Sequence, residues 1–387
     1  MKKNENNALL PAGFRDVLPP DAAFEEQIAN WLVEFFSLRG YNRIKPPLME
    51  FEEGLLSGTG VALAPQTFRL MDPISQRMMG IRADITPQIA RVALSRLRTW
   101  PRPLRLSYAG DVLRVRGSQL LPGRQLYQVG AELIGSEMPS ADAEIICLVL
   151  DAISEVGVAN ICLDLNVPPL VPNILTQFGV VGEDYLKVRE ALDRKDRNFT
   201  SLIVKEASDI LIALLDATGS VDVALEKLEA IDLPPLAAKE RSRLKEVVSL
   251  LKASNIPVTL TLDPIENRGF EYHTGIGFTI FARGFSSELA NGGRYKVQNV
   301  EKQKTHSECG TGVTLYVGTI INTLKKRDKS QTILIPQGTP KDLISGLHSE
   351  GWVTIAALES SIDLAIEARR LKCTHFLGLN GPEPVLN

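Results

Sequence analysis

The segment GDVLRVRGSQLLPGRQLYQVGAELIG, residues 110–135, constrains the fold of this chain more than any other stretch. It reads as a strand carrying Arg114, a turn rich in glycine and proline, and a second strand carrying Gln128 and Glu132. A hairpin of this kind is suited to hold a nucleotide. A hairpin that binds ATP would be expected to offer adenine a carboxylate near the arginine, but Arg114 is followed two residues later by another arginine, Arg116.

The second strand has two chemically different faces. Successive side chains of a strand point to opposite sides, so Gln128, Gly130 and Glu132 share one face and apolar residues occupy the other. An amide and a carboxylate on either side of a glycine leave room for a ligand and could hold an ammonium or an imidazole N–H. A solvent-exposed polar face on an antiparallel sheet would show the same pattern, so this strand alone leaves both interpretations open.

The segment RADITPQ marks the start of a predicted helix. Thr86 is predicted to be its N-cap, with Pro87 at the first helical position. Asp84 and Thr86 could simply cap the helix and compensate its dipole. Short polar side chains at such a turn could also hold an amino group, and both interpretations stay open.

Two later segments add further candidates. In ENRGFEYHTG, Arg268 precedes a strand on which Tyr272 and His273 should point to opposite faces. In ANGGRY, Gly292 and Gly293 indicate either a close approach of the backbone to a ligand or a simple turn.

Prolines interrupt a predicted strand near the N-terminus. YNRIKPPLMEF has strand character, but Pro46 and Pro47 confine such a strand to an edge or an interface. A hairpin should follow between Thr67 and Ile81.

Hydrophobic periodicity indicates an α+β chain. A first helix should end at Gly40, and a later helix should follow Gly310. KKRDKSQ marks a linker before a strand, helix, strand, helix, strand pattern, which is typical of a small α/β unit. We therefore predict a domain of residues 1–325 with a helical insertion at about 173–255, and a shortened α/β domain of residues 331–387.

Composition argues against several classes of function. The net charge of −3 argues against broad electrostatic capture of nucleic acid. Four cysteines and four histidines show no CxxC or HxxxH spacing, so we expect no metal site. No P-loop, GxGxxG or nucleophile motif is present. The chain has no signal-peptide core and no apolar run of about 20 residues, so we expect a cytoplasmic protein without membrane contact.

Taken together, the motifs resemble those of the class II histidyl-tRNA synthetase family, in order, over roughly residues 9–324. The resemblance implies an antiparallel sheet with flanking helices and a pocket for histidine. The matching segments are LLPAGFRDVLPPD, GYNRIKPPLMEF, IRADITPQIAR, residues 110–135, NRGFEYHTG and LANGGRY. The residues that the resemblance assigns are Asp84, Thr86 and Gln128 for the α-ammonium, Glu132 for the charged or polar end of the ligand, Arg114 and Arg268 for the carboxylate, and Tyr272 and His273 around the imidazole.

The chain departs from the synthetase pattern where ATP would bind. Arg116 replaces a glutamate of the second motif, and Gly318 and Thr319 stand where the third motif has glutamate and arginine. His273 replaces a tyrosine. The tail from Gln331 has four Lys or Arg against six Asp or Glu, and this net charge of −2 is poorly suited to tRNA.

This combination resembles the regulatory subunits of ATP phosphoribosyltransferase, which are synthetase paralogues. The resemblance implies a chain without catalytic activity or cofactor that forms homodimers within a hetero-oligomer, expected to be a hetero-octamer. It would bind L-histidine and confer feedback inhibition and activation on a short catalytic subunit at the first step of histidine biosynthesis. The alternatives are a histidyl-tRNA synthetase with a shortened C-terminal domain and an amino-acid-binding protein with another partner.

Overall fold

The computed structural model describes residues 10–198, 207–267, 272–301, 304–324, 331–360 and 363–385. Within these residues the chain divides into two compact units, Met1–Leu324 and Lys325–Asn387, each with its own sheet and apolar core. The helices are α1 Asp21–Leu38, α2 Glu52–Leu55, α3 Thr86–Ser95, α4 Pro139–Val156, α5 Leu170–Gln177, α6 Gly182–Asp193, α7 Ser208–Asp216, α8 Val221–Glu229, α9 Pro235–Ala253, α10 Val317–Thr323, α11 Lys341–Ser349 and α12 Leu364–Arg370.

The strands are β1 Asn42–Arg43, β2 Met49–Phe51, β3 Phe68–Met71, β4 Met78–Ile81, β5 Leu104–Leu113, β6 Gln125–Ile134, β7 Ile161–Asn166, β8 Gly219–Ser220, β9 Thr259–Asp263, β10 His273–Ala282, β11 Ala290–Glu301, β12 Lys304–Tyr316, β13 Thr332–Ile335, β14 Val353–Ala356, β15 His375–Gly378 and β16 Gly381–Pro384. They fall into three sheets, and the largest has the order β1-β5-β6-β12-β11-β10-β7-β9-β8.

The predicted antiparallel sheet is confirmed in the middle of the large sheet, where β5, β6, β12, β11, β10 and β7 pair antiparallel. Its margins differ from the prediction, because β1 pairs with β5 and β9 pairs with β7 in parallel. The sheet is therefore mixed. The fold class predicted from the sequence, α+β with flanking helices and a small α/β unit, agrees with the structure.

Different helices cover the two faces of this sheet. Helices α1 and α4 pack on one face, where Val129, Ala131 and Leu133 of β6 enter the larger apolar core. Helix α3 packs on the other face through Ile89 and neighbouring apolar residues. Because both faces are covered, the polar side chains of β6 that lie under α3 are removed from water.

Two local predictions were wrong. The strand predicted around Pro46 and Pro47 is two separate strands, because β1 belongs to the large sheet and β2 to a three-stranded sheet with β4 and β3. Two prolines without N–H groups cannot continue a hydrogen-bonded ladder. The helix expected after Gly310 begins only at Val317. Residues 310–316 instead pair with both β6 and β11, and this pairing extends the strand.

The region predicted to be a helical insertion contains α5 to α9 together with the short strand β8, among the residues described. Its long helix α9 buries Leu244, Val247 and Leu251 in the larger core of the first unit. The helical region is therefore packed onto the face of the sheet that α1 and α4 cover.

The second unit has the predicted α/β pattern with one addition. Its sheet has the order β14-β13-β15-β16, in which β13, β14 and β15 are parallel. Strand β16 pairs antiparallel with β15 and was not predicted. Its sequence, GPEP, has two prolines, and it lies at the edge of the sheet, where missing N–H groups are tolerated.

Candidate functional site

The candidate site lies between the start of α3 and the centre of the large sheet. The two strands of the 110–135 hairpin contribute β5 and β6, and β12 pairs with β6 on the other side. Asp84 and Thr86 come from the turn that enters α3, and Gln128 and Glu132 come from the face of β6 beneath it. The predicted sharing of one face by Gln128 and Glu132 is confirmed, and neither side chain is exposed to solvent.

One end of the site is built around the Asp84 carboxylate. Asp84 Oδ1 accepts a hydrogen bond from the Thr86 N–H at 2.9 Å, and Asp84 Oδ2 accepts one from Gln128 Nε2 at 3.0 Å. Gln128 Oε1 accepts from the Ile85 N–H at 3.3 Å, so both ends of this amide are held. The Arg114 guanidinium lies 3.9 Å from Asp84 Oδ2. Opposite charges therefore stand side by side at this end.

Arg114 lies one residue beyond the strand that was predicted to carry it, since β5 ends at Leu113. Its guanidinium donates to the Ala83 carbonyl at 3.3 Å and to the Tyr316 hydroxyl at 3.4 Å, and it lies 5.8 Å from the centroid of the Tyr316 ring. Asn291 also donates to the Tyr316 hydroxyl, at 3.2 Å. These contacts hold the cation of Arg114 beside Asp84.

The other end of the site is built around the Glu132 carboxyl. Thr86 Oγ1 donates to Glu132 Oε1 at 2.9 Å, and the Tyr295 hydroxyl donates to Glu132 Oε2 at 2.7 Å. The Tyr108 hydroxyl lies 3.2 Å from Thr86 Oγ1 and 2.7 Å from Thr314 Oγ1. Glu132 is thus the centre of a buried network of hydroxyl groups contributed by α3, β5, β11 and β12.

Thr86 does not cap α3 as predicted. The residue in the N-cap position is Ile85, and no side chain of that residue makes a capping bond. The Thr86 hydroxyl instead donates a hydrogen bond to Glu132, and Asp84 accepts a hydrogen bond from the Thr86 N–H. A buried carboxyl without donors costs more than an uncapped helix end, so the hydroxyl bonds to the carboxyl.

Two glycines make room for this network. A Cβ on Gly312, which pairs with Glu132 across β12 and β6, would overlap the Glu132 carboxyl. A Cβ on Gly130 would overlap the ring of Tyr108. Side chains at these positions would displace the two groups that anchor the network.

Burial changes the ionisation of the site. Removal from water raises the pKa of Glu132 to about 8, although the hydrogen bonds from Tyr295 and Thr86 oppose the rise. Burial and the nearby Glu132 charge also raise the pKa of Tyr295 and Tyr108 well above the ordinary value. Glu132 therefore carries a proton over much of the neutral range and can serve as a donor as well as an acceptor.

Tyr272 and His273 do not point to opposite faces as predicted. Their ring centroids lie 4.2 Å apart with planes tilted by 31°, because Tyr272 precedes β10 and strand alternation does not apply to it. Tyr272 also lies 6.4 Å from the ring of Tyr295, edge to face. The pair therefore adjoins the Glu132 end of the site. Arg268, the second predicted carboxylate partner, lies outside the described residues.

The ANGGRY segment is neither a loop nor a turn. Residues 291–295 belong to β11, where Gly292 and Gly293 pair with β10 and β12. The glycines thus permit close strand packing. Tyr295 was part of the quoted motif but was not assigned to the site, although its position two residues after the glycines placed it on a defined face of the strand.

Other residues could not be assigned to the site from the sequence alone. Tyr108 and Thr314 are an ordinary aromatic and an ordinary hydroxyl residue, and they meet only because β5 and β12 flank β6. Tyr316 likewise becomes a neighbour of Arg114, 202 residues away, because β12 pairs with β6 beside β5. Sequence spacing alone cannot reveal contacts between residues roughly two hundred positions apart.

None of the positions that hold ATP in synthetases puts a charged side chain among the described lining residues of the adjoining cavity. Arg116 is exposed. The Thr319 hydroxyl donates at 2.8 Å to the carbonyls of Glu288 and Tyr316, and Gly318 has no side chain. A cavity of about 450 Å³ beside these two residues has Arg15 as the one Lys or Arg among its described lining residues, and Glu25 and Asp111 face the same space.

The described part of the chain shows neither a cluster of metal-ligating side chains nor a helix able to cross a membrane. No group of three or more His, Cys, Asp or Glu side chains is arranged to hold a metal ion. Among the helices of those residues, none combines the length and the apolar character needed to cross a membrane.

The raised pKa of Glu132 predicts a pH-dependent part of the stability. The folded chain keeps the Glu132 proton up to about pH 8, whereas the unfolded chain releases it near 4.5, so the free energy of unfolding falls as pH rises between these values. From about pH 5 to about pH 8 the wild type should lose roughly 3 kcal/mol more than Glu132→Gln, whose amide does not titrate. Urea unfolding of both chains at the two pH values measures this, and equal losses would contradict it.

Comparisons with known proteins agree with the motifs. The histidyl-tRNA synthetase family model matches residues 13–320. ATP phosphoribosyltransferase regulatory subunits of Paramagnetospirillum magneticum and Rhodospirillum centenum are 47% and 50% identical to this chain, covering 98% and 95% of it and 99% and 94% of their own lengths. A solved structure from Bacillus halodurans, described as an ATP phosphoribosyltransferase regulatory subunit/histidyl-tRNA synthetase, shares the fold at a TM-score of 0.77 and 22% identity, covering 95% of this chain and 97% of that chain.

These relatives bear the name of a regulatory subunit, as the departures from the synthetase pattern predict. The identity extends over nearly the whole of both chains, 98% and 95% of this one. The chain therefore belongs to the family of ATP phosphoribosyltransferase regulatory subunits, built on the class II histidyl-tRNA synthetase fold.

Proposed function

We propose that this chain binds L-histidine and, as partner of a short ATP phosphoribosyltransferase catalytic subunit, confers on it activation and feedback inhibition at the first step of histidine biosynthesis. The observation that carries the proposal is a difference between two neighbouring groups of residues in the first unit. The carboxyls of Asp84 and Glu132 are held in place by a network of donors, whereas Gly318 and Thr319 put no charge on the neighbouring helix.

The chemistry of the site suits an amino acid with a polar side chain. A zwitterion brings an ammonium and a carboxylate out of water, and each needs an opposite charge or donors. Asp84 and Arg114 offer both signs at one end, together with the amide of Gln128. At the other end Glu132, which can donate or accept, lies near the rings of Tyr272 and His273 and suits an imidazole nitrogen. Arg268 remains a proposed second partner of the carboxylate.

Histidine binding should depend on the charge of Asp84. Asp84→Asn keeps an oxygen that can accept the Thr86 N–H but removes the negative charge, and loss of such a partner typically costs about 2 to 5 kcal/mol, roughly 30-fold or more in affinity. Asp72→Asn is the matched control, because Asp72 also accepts backbone N–H bonds but lies in the exposed β3–β4 turn. Calorimetric titration with L-histidine measures both variants, and equal affinities would place the pocket elsewhere.

A partner is expected from the names of the relatives. Regulation by histidine requires only that histidine bind one state of the complex better than another, so a pocket without catalytic residues is sufficient.

Self-association is supported by the three-stranded sheet β2-β4-β3, on and beside which Met71, Ile74 and Met78 are exposed. We propose a homodimer within a hetero-octamer, located in the cytoplasm. The net charge of −2 from Gln331 onward argues against tRNA as a partner.

Feedback should be lost together with histidine binding. In a complex reconstituted with a short catalytic subunit, histidine should inhibit phosphoribosyl transfer with the wild type and with Asp72→Asn. With Asp84→Asn, the histidine concentration for half inhibition should rise by about 30-fold or more, following the loss of affinity. Each complex is compared with its own rate without histidine. Undiminished inhibition of the Asp84→Asn complex would contradict the proposal.

The chain should not activate histidine with ATP. Adenylation needs cations that clamp the triphosphate, and removal of one such electrostatic group commonly lowers the rate by about 100-fold or more. Thr319 supplies none, and Arg15 is faced by Glu25 and Asp111 in the adjoining cavity. We expect no histidine-dependent exchange of pyrophosphate into ATP above background, with a histidyl-tRNA synthetase as positive control. Exchange at a synthetase-like rate would favour the synthetase alternative.

A further inference from the structure

A buried ion cluster lies on the reverse side of the sheet from the candidate histidine pocket. Its centre is Asp142, in the first turn of α4, whose side chain is 2% exposed. Arg294 of β11, 3% exposed, reaches Asp142 Oδ1 at 2.8 Å and Oδ2 at 3.2 Å. Thr311 Oγ1 of β12 donates to Asp142 Oδ1 at 2.6 Å. One carboxylate therefore ties α4 to two neighbouring strands.

These strand residues lie directly beside the pocket residues in sequence. Arg294 precedes Tyr295, whose hydroxyl holds Glu132. Thr311 precedes Gly312, against which the Glu132 carboxyl packs. Neighbouring residues of a strand point to opposite faces, so the cluster and the pocket share the same backbone from its two sides. A shift of β11 or β12 caused by the cluster would move the groups around Glu132.

The helical region adds a second arginine to the cluster. Arg243 of α9 donates from Nε to Asp142 Oδ2 at 3.1 Å, and its guanidinium also donates to the Glu137 carbonyl in the turn before α4. Arg294 donates to the carbonyls of Ser136 and Met138 in the same turn, at 2.8 and 3.0 Å. Two guanidinium groups from distant parts of the chain thus hold one carboxylate and one turn.

The charges within the cluster are not balanced by Asp142 alone. Two arginines face one carboxylate, and Glu240, one turn before Arg243 on α9, is the next acidic group. Burial raises the pKa of Glu240, and Arg243 is the strongest opposing influence. Docking of α9 therefore brings both a cation and a nearby carboxyl to the reverse side of the pocket.

We propose that Arg243 is a positioning residue for the histidine pocket. By joining the helical region to the Asp142–Arg294 pair, it fixes β11 and β12 behind Tyr295 and Glu132 and so sets the affinity for histidine. This inference rests on the proposed function, because it assigns to the helical region a role in the ligand affinity of that same pocket. The helical region is then a point from which a bound partner could tune histidine binding.

The test uses three variants of the full chain. Arg243→Met removes the link and leaves Asp142 paired with Arg294 and Thr311. Arg243→Lys keeps the charge but not the forked geometry, so it should restore binding in part. Arg241→Met is the matched control, because Arg241 lies on the same helix and donates only to the carbonyls of Leu228, Glu229 and Ile231 within the helical region.

Two measurements separate positioning from general destabilisation. Titration with L-histidine should show a loss of affinity of about 3- to 30-fold for Arg243→Met, a smaller loss for Arg243→Lys, and less than about 2-fold for Arg241→Met. Hydrogen–deuterium exchange should quicken in residues 290–297 and 310–316 for Arg243→Met, but only near the end of α8 for Arg241→Met.

The outcomes decide between the two proposals. Equal histidine affinity in Arg243→Met and Arg241→Met would overturn the positioning role while leaving the proposed function standing. A wild-type chain that binds no histidine would overturn the proposed function, and the exchange data would then decide the structural claim. In that case unchanged exchange in β11 and β12 of Arg243→Met would overturn the positioning role as well.

Discussion

Everything around the candidate pocket depends on keeping one carboxyl group, that of Glu132, in the middle of a covered sheet. A carboxyl without partners in such a place is strongly unfavourable, so the surrounding chain must supply hydroxyl donors. Thr86 and Tyr295 do so directly, and Tyr108 and Thr314 extend the network. This requirement explains why Thr86 does not cap its helix and why β12 carries a glycine at position 312. The strands and helix that meet here are held in register by polar contacts as well as apolar packing.

Much of this arrangement could be predicted from the sequence. The period of two in β6 correctly placed Gln128 and Glu132 on one face, and ordered motifs correctly indicated the family. Whether that face meets water could not be predicted, because burial depends on α3, which crosses the sheet from elsewhere in the chain. The same limit applies to Tyr108 and Thr314, since only sheet order brings them together. The errors at Thr86 and at the start of α10 share one cause: contacts between distant segments override local preference. The error at Tyr272 has another, because Tyr272 lies just before β10 and strand alternation does not apply to it.

The two parts of the site, which by the resemblance of the motifs correspond to the amino-acid and ATP positions of synthetases, differ in what holds their side chains in place. The amino-acid half is built from side chains that also satisfy one another, as Asp84 and Gln128 do. At the positions that serve ATP in synthetases, Arg116 is exposed, Gly318 has no side chain, and the Thr319 hydroxyl donates to backbone carbonyls. Loss of nucleotide contacts therefore leaves few buried groups unsatisfied, whereas loss of a partner of Asp84 or Glu132 would disturb the core. This asymmetry gives a physical reason why the polar network around Glu132 can persist when the positions for ATP change.

The spacing of the network along the chain has a consequence for synthesis. Tyr295 and Glu132 are 163 residues apart, and Tyr108 and Thr314 are 206 residues apart, with the whole helical region between them. A growing chain that has made the 110–135 hairpin still lacks both donors from β11 and β12. The Glu132 carboxyl therefore stays accessible to water until translation has passed residue 316 and the last strands have joined the sheet. The proposed histidine site therefore forms late in synthesis, after β11 and β12 have joined the sheet.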